Sequence, residues 1–260
     1  MYLTWFDSNS WLLEIANKRI LIDPWLVGPL VFGNQAWLFK GEKRTPRPVP
    51  PNIDLIVLSQ GLEDHAHPPT LKILDKTIPV VGSPSAAKVA QELGYTQVRA
   101  LEQGSTYSLD NQVEIKAVPG SPIGPTTVEN GYLFRELETN FKVYYEPHGY
   151  HDKSLQQEAP IDVVITPIID LALPLIGPII KGTKSALQIA EWVKPQVMLP
   201  TAAEGDVAYE GLLVSLLKAV GTLEDFRSLL ARHNLSTRVL NPTPGERFEV
   251  PLERKPAGVA

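Results

Sequence analysis

The sequence predicts a mixed α/β (α+β) fold, and three observations carry that expectation. Short apolar runs of strand length dominate the first half of the chain, and three windows of helical period carry their own start and stop residues. The third observation is proline: 24 of 260 residues, against the ~5% of an average chain, scattered between the apolar runs. They mark many rigid turns joining short elements, with no long linker. With 43% hydrophobic and 20% charged residues, and no repeat of fixed period, a single domain over residues 1–260 is the simplest organisation.

Taken along the chain, Trp11–Ile15 and Arg19–Ile22 are apolar runs parted by Asn17-Lys18, a hairpin pattern. Asp54–Leu58 carries a continuous apolar run, as expected of a strand buried on both faces. Further strands are expected over Pro79–Val81, Val113–Val118, Tyr132–Arg135, Lys142–Tyr145, Asp162–Thr166 and Gln196–Leu199. Ser83-Pro84, then Ala86, Ala87, Val89, Ala90 and Leu93 ahead of Gly94, supplies a cap, a first-turn proline and a terminating glycine. A second helix starts at Thr183 and is stopped by Pro195, and Thr222 with Asp225 opens a third through Leu229, Leu230 and His233. Two apolar stretches, Trp25–Phe32 with Ala36–Phe39 and Ile168–Ile180, are too broken by proline and glycine to read as regular elements. They either tuck over the core or form an apolar mouth over a pocket, with Trp25, Trp37, Leu173 and Ile176 as substrate-facing candidates. A patch touching a membrane surface or a partner protein is the other reading of the same residues.

Composition removes several function classes. A net charge of −5 argues against a nucleic-acid backbone as the main partner. The absence of cysteine removes disulfides, thiolate nucleophiles and cysteine-based zinc sites, and fits a reducing compartment. Neither a basic, apolar leader nor a run of ~20 apolar residues is present, so the expectation is a cytoplasmic chain with no transmembrane segment.

The chemistry concentrates in histidine. Of five, four fall in two tight pairs, His65-Ala66-His67 and His148-Gly149-Tyr150-His151, each following an expected strand. Strand ends converge on a sheet rim, so Asp64, His65 and His148 are expected to meet although distant in sequence. A carboxylate and two imidazoles with one open position form a workable set for zinc or iron(II). Against this stands the plainer reading, in which these histidines cap loops and satisfy backbone groups. His233, near the end of a charged helix, reads as a surface residue.

These residues also carry a family resemblance. Thr4–Glu14 with Ile20-Leu21-Ile22-Asp23-Pro24-Trp25-Leu26, the segment Asp54–His65, Lys142–Gly149 and Ala186–Pro200 together resemble the metallo-β-lactamase superfamily. The opening hairpin and its "DP" signature are most similar to the UlaG-like, L-ascorbate-6-phosphate lactonase-like branch. The resemblance covers roughly residues 1–205, and Pro244–Phe248 looks like the branch's closing strand. It implies a four-layer αββα sandwich with the site at the rim between the sheets.

The same resemblance exposes departures. Where the family writes H-x-H-x-D-H, this chain has Gln60-Gly61-Leu62-Glu63-Asp64-His65, so two histidines are replaced. None stands near Pro119-Gly120-Ser121 or in Thr201-Ala202-Ala203, and His148 takes the place of the bridging aspartate. A degenerate motif of this kind resembles uncharacterised members from cyanobacteria and plant plastids, which implies a protein of the cytosol or stroma.

Three functional expectations follow. The first is a hydrolase with at most one zinc, iron or manganese ion on Asp64, His65 and His148, with Asp64 and His148 as the catalytic pair. Its substrate is a small ester, lactone or phosphodiester with an apolar part. Behind the ligands the resemblance places Asp23, while Glu63, His67, Glu146 and His151 are expected to orient ligands or relay a proton. The second is a metal-free pseudo-enzyme of the same fold that binds an apolar ligand or partner protein. The third is a metal-free enzyme using His65 or His148 with Asp64 as an acid–base pair, with Ser59 or Ser121 as nucleophile; neither serine lies in a G-x-S-x-G context.

Overall fold

The alternation inside the apolar runs builds the layers. In the strand Leu55–Leu58, Leu55 and Val57 enter one cluster of buried side chains and Ile56 and Leu58 another. Lys142–Tyr145 sends Val143 and Tyr145 into that same first cluster and Tyr144 to a third. Val163–Thr166 and Val197–Pro200 split the same way, with Val164 and Met198 turned outward. Strands covered on both sides have no polar face to show, which explains their continuous hydrophobicity. The computed structural model describes residues 1–123, 127–174, 177–203 and 205–253.

Two seven-stranded sheets result. The first runs, in spatial order, Arg247–Glu249, Tyr2–Trp5, Trp11–Ile15, Lys18–Ile22, Leu55–Leu58, Val80–Gly82 and Val98–Ala100. The second runs Arg238–Val239, Val197–Pro200, Val163–Thr166, Lys142–Tyr145, Thr127–Glu136, Val113–Ile123 and Thr106–Leu109. The cluster they share forms the central core. Helices Pro68–Ile73 and Pro84–Glu92 cover the outer face of the first sheet, and Thr183–Val193 and Leu223–Arg232 that of the second. The order of layers is therefore α, β, β, α.

Local chemistry sets several boundaries as expected. Ser83 accepts a hydrogen bond from the Ala86 amide at 3.3 Å, with Pro84 opening the helix. Thr222 accepts from the Asp225 amide at 3.1 Å. The strands Val113–Ile123 and Thr127–Glu136 run longer than their apolar residues indicate, because pairing continues through Pro119 and resumes after a bulge at Pro122. The two broken apolar stretches correct the expectation of irregular loops. Leu30–Val31 pairs with Lys40–Lys43, which pairs with Val207–Glu210, and Asp170–Leu173 pairs with both Gly177–Ile180 and Lys218–Val220. Their third strands come from far along the chain, so no local pattern announces them. Ile176 lies outside the described residues, and Leu173 is half-buried in its small sheet.

Parallel pairing positions the site. Lys18–Ile22, Leu55–Leu58 and Val80–Gly82 run in one direction, as do Lys142–Tyr145, Val163–Thr166 and Val197–Pro200. Loops that start at Asp23, Ser59, Glu146 and Thr201 therefore gather on one rim, and a bridge from Ser8 to Ala203 adds the first hairpin's turn. At the opposite end an open cavity of about 1410 Å³, lined by Glu14, Arg19 and Arg247 among others, holds none of these residues. Among the described residues no helix is long and apolar enough to cross a membrane.

Candidate metal centre

Asp64, His65 and His148 each offer one ligand atom, and the three atoms lie within 4.8 Å of one another. Among the described residues no other group of three or more histidine or acidic side chains does so. Asp64 and His65 sit in a tight turn after Leu55–Leu58, in which the His65 and Ala66 amides donate to the Leu62 carbonyl at 3.0 and 2.8 Å. His148 sits in a clamped loop. The Glu146 carboxylate accepts from the His148 and Tyr150 amides at 3.1 and 2.8 Å. The Lys181 amide donates to the His148 carbonyl at 2.9 Å. Gly149, at φ +77°, passes so near the Lys181 backbone that a Cβ would lie 1.7 Å from its carbonyl oxygen, so only glycine fits.

His65 is held from behind. Its Nδ1 lies 2.7 Å from an Asp23 carboxylate oxygen that also accepts from Ser59 Oγ at 2.5 Å and Tyr145 Oη at 2.6 Å. The other Asp23 oxygen accepts from the Ser59 amide at 2.7 Å. With Nδ1 engaged by a carboxylate, Nε2 faces Asp64 Oδ2 at 3.0 Å. A bare lone pair cannot rest against a carboxylate oxygen, so a proton or another cation belongs between them.

Electrostatics agree with this geometry. Burial pulls the His65 imidazole down, yet the charges of Asp64 and Asp23 outweigh it and push its pKa up to about 10. Burial raises the Asp64 carboxyl, and the His65 charge and hydrogen bond overcome that and hold it below its usual range. His148, 5.0 Å from His65 between ring centroids, is pushed down to about 3 by burial and by the His65 charge, so it stays neutral. Burial lifts Glu146 to about 7 against the backbone amides that favour its ionised form. One oxygen each of Asp64, Glu146 and Gln60 is buried without a hydrogen-bond partner. Unpartnered acceptors around two imidazoles suit a cation, so this donor set fits a metal ion.

The structure sends other expected residues elsewhere. Glu63 accepts from the Gly33 amide at 3.1 Å and braces a neighbouring loop. His67 caps the helix Pro68–Ile73, accepting from the Thr70 amide, and its other nitrogen meets the Pro29 carbonyl at 3.2 Å. Burial pushes it down to about 4. His151 packs against Tyr144, its Nδ1 3.2 Å from the phenol oxygen. Trp25 is fully buried, donates to the Gly28 carbonyl at 2.8 Å and carries Lys43 4.3 Å over its ring, so it lines no open mouth. Trp37, by contrast, is 66% exposed. Ser59 spends its hydroxyl on Asp23 and is buried, which removes it as a nucleophile. His233 is at the surface, paired with Glu191.

Some residues at the site were not anticipated. Tyr145 donates to Asp23, and Asn9 places its amide nitrogen 3.4 Å from His65 Nε2. Thr201 accepts from the Trp11 indole at 3.1 Å, where the family pattern puts a histidine. The one sequence signal for Asn9 was the polar run Asp7-Ser8-Asn9-Ser10 interrupting an otherwise apolar hairpin.

A family model described as a beta-lactamase superfamily domain matches residues 2–202. The chain belongs to the metallo-β-lactamase superfamily. A metal-dependent hydrolase of Caldivirga maquilingensis is 27% identical over 132 residues, which is 47% of this chain and 52% of that relative. The chain thus matches about half the length of that protein. An isothiocyanate hydrolase from Delia radicum gut bacteria shares the fold at a TM-score of 0.69 and 18% identity, over 96% of this chain and 99% of that one. A metallo-hydrolase from the archaeon Ignicoccus hospitalis shares it at 0.65 and 19%, over 96% and 99%. Within this superfamily member, Gln60 lies with its amide nitrogen 3.4 Å from both His148 ring nitrogens, and Leu62 is 43% exposed. The positions where the family pattern expects two more imidazoles thus offer an amide and a surface leucine.

Proposed function

We propose that the protein is a hydrolase holding one divalent metal ion on Asp64, His65 and His148, acting on a small ester, lactone or phosphodiester with an apolar part. The observation that carries this reading is the pairing of Asp23 with His65 Nδ1 at 2.7 Å while Nε2 faces Asp64 at 3.0 Å. A carboxylate behind a ligating histidine fixes its tautomer and strengthens it as a donor. Charge supports it too. Asp23 and Asp64 bring two negative charges, and a protonated His65 balances one of them. A divalent ion with neutral His65 balances both.

Such an ion supplies Lewis acidity and readies water as a nucleophile at neutral pH. The chain's own residues do the rest. Asp23 holds His65 in register, Glu146 fixes the His148 loop through one oxygen, and the neutral His148 offers a ring lone pair beside the Gln60 amide. Leu62, whose carbonyl accepts from the His65 amide, and Ile179, two residues before the Lys181 that holds the His148 loop, are both exposed, and we read them as apolar surface available to a substrate. The opening hairpin and Asp23-Pro24-Trp25-Leu26 support membership of the UlaG-like branch as part of this proposal.

A second reading, a metal-free relative that binds an apolar ligand or partner, draws on one feature. Trp37, Leu212, Leu216, Val220 and Ile179 are all exposed on or beside the two small sheets. Metal analysis of the tag-free protein beside a His148→Ala variant separates the readings. The hydrolase reading expects about one equivalent of zinc, iron or manganese, lost in the variant. Added metal at ~100 times its Kd would then stabilise the wild type by ~2.7 kcal/mol in thermal unfolding. No metal in either sample, even after reconstitution, overturns the hydrolase and leaves the apolar surface as the functional feature.

A further inference from the structure

We propose that Asn9 is a fourth protein group on the same ion, its side-chain oxygen turned toward the space between His65 Nε2 and Asp64 Oδ2. This rests on the metal reading above. Asn9 is 3% exposed, so its amide must find its partners inside the protein. Its nitrogen lies 3.4 Å from His65 Nε2, and its oxygen lies 3.4 Å from Thr201 Oγ1.

In that orientation the hydrogen bonds do not balance. A threonine hydroxyl has one hydrogen to give and two lone pairs. Thr201 faces the Ser8 carbonyl at 3.2 Å as well as Asn9, and it accepts from the Trp11 indole at 3.1 Å. Two acceptors compete for its single hydrogen while one of its lone pairs goes unused. At the other end, the NH₂ group of Asn9 points at a nitrogen whose lone pair is committed once a cation lies against Asp64. A half-turn about the terminal side-chain bond repairs both ends. The amide nitrogen then donates to the free lone pair of Thr201, Thr201 gives its hydrogen to Ser8, and the Asn9 oxygen faces the cation. With a cation at His65 Nε2, whether the proton or a metal ion, that orientation satisfies each group, and the metal reading puts the ion there.

The backbone is built to hold this side chain in place. Asp7 and Ser8 take left-handed conformations, at φ +70° and +49°, and the Asn9 carbonyl oxygen lies 3.0 Å from Tyr145 Oη. The bridge from Ser8 to Ala203 sets the turn against the loop that in the family pattern brings the last histidine. An amide from the first hairpin thus stands in for a missing imidazole from the last loop.

The test is cobalt(II) reconstitution of wild type, Asn9→Leu and Asn9→Asp, reading affinity by chelator competition and coordination by visible absorption, with thermal unfolding as the check on folding. Asn9→Leu is expected to bind at least ~10-fold more weakly, with a stronger visible band as one oxygen is lost. Asn9→Asp keeps the shape, adds a charge and is expected to bind more tightly than wild type. Should Asn9→Leu fold and match wild type in both affinity and spectrum, the inference fails while the three-residue centre stands. If Asn9→Leu does not fold, Asn9→Asp decides alone, and an unchanged affinity and spectrum there overturns the inference. A wild-type chain that takes up no cobalt overturns the metal reading itself, and the role of Asn9 with it.

Discussion

Asp23 gathers four donors onto two oxygens, from the Ser59 amide and hydroxyl, Tyr145 and His65. An asparagine there has one oxygen to offer, and its NH₂ must face at least one of those donors. Asp23→Asn is therefore expected to lose about 1–3 kcal/mol of stability in urea unfolding. It should also weaken metal binding by ~10–100-fold, because His65 loses the partner that fixes its tautomer. Tyr145→Phe makes the contrast, since it removes one donor and leaves the carboxylate, and its effect on metal affinity should be several-fold smaller. Equal losses in the two variants would mean that Asp23 braces the rim without setting the ligand. The position of Asp64, His65 and His148 at strand ends was legible in the sequence, because strand ends are where a sandwich gathers its loops. The plainer reading of the histidines as loop caps fits His67, while Glu63 was not legible as a bracing residue. Neighbouring side chains in a turn leave in different directions, so proximity along the chain to His65 says nothing about shared space.

The first hairpin's turn owes its shape to a buried cluster of charge. Asp7 is fully buried, with Lys43 Nζ at 3.0 Å and Arg47 Nε at 3.3 Å, and Arg47 also reaches Asp206 at 2.9 Å. The other Asp7 oxygen accepts from the Asp206 amide at 2.7 Å. The approach is so close that a Cβ on Gly205, at φ +63°, would lie 2.4 Å from that oxygen. Burial lowers the Lys43 ammonium in spite of Asp7, so desolvation is the larger force on it and the pair depends on its partner staying charged. Asn tolerates the left-handed backbone as well as Asp does, so Asp7→Asn isolates the charge. Left with two buried cations, the variant is expected to lose about 3–5 kcal/mol, seen as a drop in urea midpoint, and to loosen the segment that carries Asn9. A loss below ~1 kcal/mol would show that Asp206 alone balances both cations. None of this could be read from spacing, because Asp7 and Asp206 meet only after both sheets have formed. The same holds for the small sheet of Leu30–Val31, Lys40–Lys43 and Val207–Glu210.

At the scale of the whole molecule, the sandwich was legible wherever a strand is apolar on both faces, as in Leu55–Leu58 and Val163–Thr166. The same double burial makes the protein sensitive to acid. His151 packs against Tyr144 and near Thr166 beneath the helix layer, and burial together with the Lys181 charge pushes its imidazole from 6.5 down to about 3. Between those two values the unfolded chain takes up a proton that the folded chain refuses. Stability therefore falls as pH falls from 6.5 toward 3, at up to ~1.4 kcal/mol per pH unit for this group. His151→Gln keeps a hydrogen-bonding side chain and removes the titration. Urea midpoints followed from neutral pH to about pH 4, with chelator present, should fall less steeply in the variant by about one proton's worth of slope. His67 and His148 are depressed by burial as well, but they titrate alike in both proteins and cancel in the difference. Parallel curves would place the acid sensitivity elsewhere. Convergence of the two curves toward low pH would instead show that a neutral histidine beneath the second sheet helps set the lower pH limit of the fold.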